Sequence, residues 1–166
     1  AGIGVDLDRD ALPYLADYPY GCTEQTMSRL VPVVVAQAAK ATFGVPPTGR
    51  LAELPKMLDA GLARLRALQH ADGGFGWWEA DASDAYMTAY VVHGLTRAAA
   101  VMDDPAPAQA ILTKATPWLL ARLKAGGNAA EPAEQLVRMA LADAKALPPG
   151  TLTDDVADVA VGLVSG

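Results

Sequence analysis

Scarcity marks this 166-residue chain before any motif does, beginning with its single cysteine. One thiol excludes an internal disulfide framework and any multi-cysteine zinc cluster, and it leaves the compartment open. Aromatic residues make up only 6% of the chain. Alanine and leucine are abundant and β-branched residues rarely alternate with polar ones, so helices packed on helices are expected, with almost no sheet. Basic residues are outnumbered, 13 Lys and Arg against 19 Asp and Glu, for a net charge of -6. A phosphate-binding surface needs clustered lysine and arginine, which removes nucleic acid from the expected partners. Long apolar runs are missing too. The greasiest stretch, Val31 to Ala36, is bracketed by Arg29, Gln37 and Lys40, so no membrane span and no direct membrane contact are expected of this segment. The only histidines are His70 and His93, and both read as structural hydrogen-bonding residues. No cysteine, aspartate and histidine set for zinc can be assembled, and no metal or cofactor is expected.

At 52% hydrophobic residues the chain has the apolar mass for one core. Its start, Ala1-Gly2-Ile3-Gly4, carries neither an initiator methionine nor a basic-then-apolar signal. It reads as cut from a longer protein. At the other end Val159, Ala160, Leu163 and Val164 begin a helical stripe with no sequel. Residues 1–166 are therefore expected to be the N-terminal part of a single domain.

Apolar residues at Met27, Leu30, Val31, Val34, Val35 and Ala38 fall on one helical face, predicting a helix from Met27 to just before Gly44 and bent at Pro32. Leu51, Leu54, Leu58, Leu62, Leu65 and Leu68 mark a second, with Pro55 tolerated in its first turn and Asp72-Gly73-Gly74 as its stop. A third is predicted from an N-cap at Ser83 towards Met102, and a fourth from Pro107 to Lys124, bent or split at Pro117. A fifth opens at Pro132 and carries Leu136, Met139 and Ala140, and a last follows Thr153. Helix, short loop, helix is the grammar of stacked α-hairpins.

The chemistry concentrates in Tyr18-Pro19-Tyr20-Gly21-Cys22-Thr23-Glu24-Gln25. A lone cysteine beside an apolar helix is usually a small buried hydrophobe. Here it stands three residues before a glutamine, after a Pro and Gly turn and at a helix start whose free N–H groups favour a thiolate or a developing oxyanion. That spacing suits an internal thioester, in which the Cys22 thiolate attacks the Gln25 side-chain carbonyl and expels ammonia. Glu24 either orients the Gln25 amide, caps the helix, or is a solvated first-turn acid stabilised by the dipole.

Tyr20-Gly21-Cys22-Thr23-Glu24-Gln25, followed by Met27 and Pro32, resembles the thioester region of the alpha-2-macroglobulin and complement family. Downstream, Gln69-His70-Ala71-Asp72-Gly73-Gly74-Phe75-Gly76-Trp77-Trp78 resembles the family's inter-helix turn, and Ala85-Tyr86-Met87-Thr88-Ala89-Tyr90-Val91-Val92 resembles the helix after it. The resemblance runs from about Tyr18 to Leu95, and its tyrosine-proline lead-in is most similar to the bacterial branch of large periplasmic, membrane-tethered protease traps. It implies an all-α α/α toroid, of which this chain would supply about half the ring, and a thioester between Cys22 and Gln25. It further implies a single-use protease inhibitor, not a turnover enzyme. A protease cleaves a bait elsewhere in the parent macroglobulin chain, and a lysine amine of that protease attacks the Gln25 carbonyl, leaving an amide there and a free Cys22 thiol.

Two departures stand out. Many relatives have glycine where this chain has Thr23, and a β-branched residue would be costly if the site demanded positive φ. Complement relatives use a late histidine to displace the thioester, and no residue here matches it; unless the rest of the ring supplies one, direct aminolysis is expected. The Asp-Gly-Gly-Phe-Gly turn also resembles that of terpene cyclases and prenyltransferases. An isoprenoid-processing toroid enzyme is therefore one alternative, and a helical interaction module with an inert cysteine is another. Asp6-Leu7-Asp8-Arg9-Asp10 faintly resembles a cyclase acid motif, but it reads better as a polar helix turn. In the inter-helix turn the glycines are expected to take left-handed conformations, Asp72 to bond turn amides, and Phe75 with Trp77 to plug the space between hairpins.

Overall fold

A computed structural model describes residues 21–44, 46, 48–126 and 132–145. The Tyr18-Pro19-Tyr20 lead-in, the acidic stretch at residues 6–10 and the helix expected after Thr153 lie outside the described residues. Those described form five α-helices: α1 (Thr23–Phe43), α2 (Leu54–Leu68), α3 (Ala85–Ala99), α4 (Ala106–Lys124) and α5 (Pro132–Asp143), with a short 3-10 turn at Gly49–Ala52. The only pairing of extended backbone among them is one isolated antiparallel bridge between Gln69 and Phe75. The all-α expectation holds.

Helix α1 begins a full turn earlier than its apolar stripe, because Cys22 serves as N-cap and Gln25 reaches back to it. Its end is set by Gly44, which adopts a left-handed φ of 63° and donates its N–H to the Lys40 carbonyl. Pro32 lies inside α1 and Pro117 inside α4, yet each helix runs through its proline without a break; α4 is not split. Packing on both sides holds these turns where one hydrogen bond is missing. Leu51 belongs to the 3-10 turn and not to α2, whose buried face is Leu54, Leu58, Leu62, Leu65 and Leu68. In α5 the buried positions include Val137, Ala140 and Leu141, while Leu136 and Met139 are only partly covered.

Two helix starts differ from expectation. Asp84, not Ser83, caps α3, accepting from the Met87 N–H at 2.8 Å, because the Ser83 hydroxyl is committed to the preceding turn. Helix α4 starts at Ala106 with Pro105 as N-cap, and Asp104 Oδ1 accepts from the Ala106 N–H.

Helix α3 occupies the middle, packed against α1, α4 and α5, while α2 packs against α1 and α4. Ser28 lies against Tyr90, Val31 near Gly94, and Gln37 bonds Asp103 just past the end of α3, so the pairs advance together and α1 and α3 run parallel. The reversals between them pass through α2 and the turn at residues 69–84, which is the hairpin stacking of an α/α architecture. Met27, Leu30 and Val34 of α1 meet Met87, Val91, Val92 and Leu95 of α3 in one core that also takes in Phe75, Ile111, Leu119 and Leu141. His93 Nδ1 lies 2.7 Å and Arg97 Nε 3.1 Å from Asp143 Oδ2, tying α3 to the end of α5.

Candidate functional site

The chain arrives at the first turn of α1 through Gly21, and Cys22 is extended (φ -65°, ψ 174°). From there the helix reverses the Gln25 side chain over the incoming backbone. Its Oε1 accepts from the Cys22 N–H at 3.3 Å, while the Cys22 side chain faces the Gln25 N–H, the reciprocal layout of a capping box with sulfur in the place of the usual hydroxyl. A side chain at position 21 would crowd this fold-back, since a Cβ there would stand 3.2 Å from Gln25 Cβ and 3.5 Å from its Oε1. Cys22 is a free thiol and is 7% exposed, whereas Gln25 is exposed. A buried cysteine and an exposed glutamine thus share the first turn of one helix. That turn is the positive end of the helix dipole, where free N–H groups favour negative charge.

Glu24 is half-buried, and its carboxylate accepts from the Ser28 hydroxyl one turn on, with Tyr90 Oη 3.4 Å from the same hydroxyl. Thr23 is the first helical residue, and the positive-φ residues other than glycine do not include it. The threonine therefore carries no backbone strain, and the departure from glycine costs nothing on that account. It is fully buried; its N–H donates to the Trp77 carbonyl at 3.0 Å and its hydroxyl to the Gly76 carbonyl at 2.6 Å.

The inter-helix turn thus lies directly against the Cys22 and Gln25 turn. Of its glycines only Gly73 takes a positive φ, 95°; at Gly74 and Gly76 the reason is room, since a Cβ would stand 2.6 Å from Ser83 and 2.8 Å from the Ala82 carbonyl. Asp72 is the hub. It accepts from the Gly74 N–H (2.9 Å), Ser83 Oγ (2.8 Å) and Trp118 Nε1 (3.0 Å), the last from α4. Burial, the largest single influence, pushes its carboxyl up, but these donors and the neighbouring His70 outweigh it and hold the group below its ordinary value. His70 Nδ1 stands 2.8 Å from the same Ser83 hydroxyl. The residue types are those of a nucleophile triad, but the wiring is not: the carboxylate holds the serine, not the histidine, and all three brace a turn. Phe75 plugs the core with no exposure, its N–H donating to Thr88 Oγ1. Trp77 does not share that role; at 45% exposed it lies at the surface with Trp78 and Tyr86.

Arg64, from α2, completes the surroundings. It donates to the Gly21 carbonyl at 3.3 Å and pairs with Glu79. Nothing in the local pattern marks it, because an arginine between leucines of an amphipathic helix reads as solvated and its partners lie 43 and 15 positions away. Trp118 and Thr88 escape notice for the same reason. Among the described residues no group of three or more His, Cys, Asp or Glu side chains is placed to hold a metal ion, and no helix is long and apolar enough to cross a membrane.

Residues 2–147 match the family model described as the A-macroglobulin TED domain. Among curated relatives, alpha-2-macroglobulin of Thermotoga maritima is 45% identical over 91 residues, covering 55% of this chain and 5% of the relative. Among solved structures, the native conformation of Escherichia coli alpha-2-macroglobulin superposes with a TM-score of 0.64 at 26% identity, over 90% of this chain and 10% of that one. A Salmonella alpha-2-macroglobulin reacted with methylamine gives 0.63 at 26% identity, over 90% and 10%. The chain spans about a twentieth of the length of the curated relative and a tenth of the solved structures.

Proposed function

This chain belongs to the A-macroglobulin TED domain family, and on that footing we propose that it is the acylating module of a larger protease-trapping inhibitor, with Cys22 and Gln25 as the thioester pair. One observation carries the reading: Cys22 and Gln25 close a reciprocal capping box on the first turn of α1, each side chain turned to the other's backbone, the cysteine buried and the glutamine exposed. Bond formation joins Cys22 Sγ to Gln25 Cδ and releases ammonia, taking the thiol proton with it. Opening is the reverse in form. The unprotonated amine of a protease lysine attacks Cδ, the C–S bond breaks, the amine proton passes to sulfur, and an amide cross-link remains at Gln25. The helix N-terminus stabilises negative charge both on the oxyanion and on the departing thiolate. Glu24 keeps its place in the proposal as a first-turn acid beside the acyl group. The step is used once per molecule, so the module inhibits without turnover. We propose as its partners the attacking protease and the remainder of the parent macroglobulin chain, which supplies the bait, and as its setting a periplasmic parent protein tethered to the inner membrane.

Intact mass of the freshly purified parent chain, before and after methylamine, tests this. The protein is expected to be lighter than its sequence by one ammonia, to gain one methylamine at Gln25 on treatment, and to release one titratable thiol at Cys22. A full-mass, unreactive protein overturns the proposal.

A further inference from the structure

The geometry points to Thr23 as a positioning residue, a clamp whose hydroxyl holds the Cys22 turn in the form that shields sulfur; as a statement about reactivity it rests on the thioester reading above. As the first helical residue Thr23 has no capping duty, because Cys22 is the N-cap. Its hydroxyl goes instead to a carbonyl 53 positions away, Gly76 O at 2.6 Å in a buried setting, while its N–H takes the adjacent Trp77 carbonyl. The receiving segment is itself immobilised. Phe75 O accepts from the Asp84 N–H at 2.8 Å, the Phe75 N–H donates to Thr88 Oγ1 at 2.9 Å, and the Trp78 N–H donates to Asp81 Oδ2 at 3.0 Å. On the other side of the cysteine, Arg64 grips the Gly21 carbonyl, and the Thr26 hydroxyl and N–H both reach the Cys22 carbonyl at 2.9 Å. Cys22 is thus fixed on both flanks: Thr23 bonds directly to the turn at residues 69–84, and Arg64 bridges Gly21 to Glu79 of the same turn.

Removing the hydroxyl while keeping the side chain's shape leaves a buried carbonyl without its donor. The folded state then offers less resistance to a local opening that swings the first turn of α1 away from Gly76 and Trp77. Cys22, 7% exposed in the closed form, becomes reachable in that opened form.

The test compares Thr23→Val, Thr23→Ser and Leu119→Ala in the parent chain. Leu119 is a fully buried α4 residue outside the site, and its variant supplies a stability loss without touching the clamp. The first readout is alkylation of Cys22 by iodoacetamide in methylamine-opened protein under native conditions. Thr23→Val is expected to alkylate about tenfold faster than wild type, with serine restoring the slow rate and Leu119→Ala unchanged. The second is the acyl-bonded fraction of freshly folded protein by intact mass, expected to fall with valine and recover with serine. Equal alkylation rates for valine and wild type, or acceleration by Leu119→Ala to the same degree, overturn the clamp. A wild type that never carries the acyl bond overturns the proposed function instead, and the alkylation arm still decides the clamp, because it reads the free thiol.

Discussion

Replacing Gly73 by alanine should cost far more than the same change at Gly126, although the two glycines share nearly the same backbone, φ 95° and 90°. Both variants place a β-carbon in a positive-φ conformation, a penalty of about 1–2 kcal/mol partly offset by the stiffer unfolded chain. At Gly126 nothing lies within 4 Å of the new carbon, so the net loss should be about 1 kcal/mol. At Gly73 the carbon would stand 2.5 Å from the Lys114 carbonyl oxygen and 3.0 Å from its carbonyl carbon. Those atoms are helix backbone and cannot swing aside as a side-chain tip would. Relief requires α4 or the turn to shift, adding about 1–3 kcal/mol of overpacking. Urea unfolding followed by tryptophan fluorescence reads both, with Trp118, bonded to Asp72 in this turn, as the local reporter. The consequence extends to the site, since a displaced turn carries the Gly76 and Trp77 carbonyls away from Thr23. Gly73→Ala should therefore lower the acyl-bonded fraction, and Gly126→Ala should not. If the two variants unfold within about 0.5 kcal/mol of each other, the turn does not press on α4 as described and the reasoning fails.

Two further outcomes follow from the same network. Against the upward push of burial, the Asp72 carboxyl is held below its ordinary value in the folded state by its Gly74, Ser83 and Trp118 donors, so the folded protein binds fewer protons than the unfolded chain in acid. The stability it contributes is present at neutral pH and is lost as pH falls through the folded pKa; the gap in urea midpoint between wild type and Asp72→Asn should be open at neutral pH and narrow as pH falls below the ordinary carboxylate range. Asp84→Ala should cost about 1 kcal/mol by removing the cap of α3, with Asp84→Asn recovering most of it in the same unfolding assay.

Much of this molecule was legible along the chain. Leucines at Leu54, Leu58, Leu62, Leu65 and Leu68 repeat at a helical period and are all buried in α2, because periodicity follows from the geometry of a helix and needs no knowledge of its neighbours. Spacing likewise placed Cys22 and Gln25 on one turn, since residues three apart share a helix face whatever surrounds them. Caps were less legible: Ser83 and Asp84 are both competent N-caps, and the choice was made by Asp72 and His70, which occupy the Ser83 hydroxyl.

What sequence alone determined was therefore local: an all-α chain, its helical faces, and a cysteine and a glutamine three positions apart on one helical turn. What only the tertiary structure decided was the shelter around them. Thr23 reaches Gly76 across 53 positions, Arg64 reaches Gly21 across 43, and Trp118 reaches Asp72 across 46. The pattern of a single helix encodes which side faces inward, but not which distant carbonyl waits there. That partner is set by how the helices stack, and the stacking is a property of the whole core.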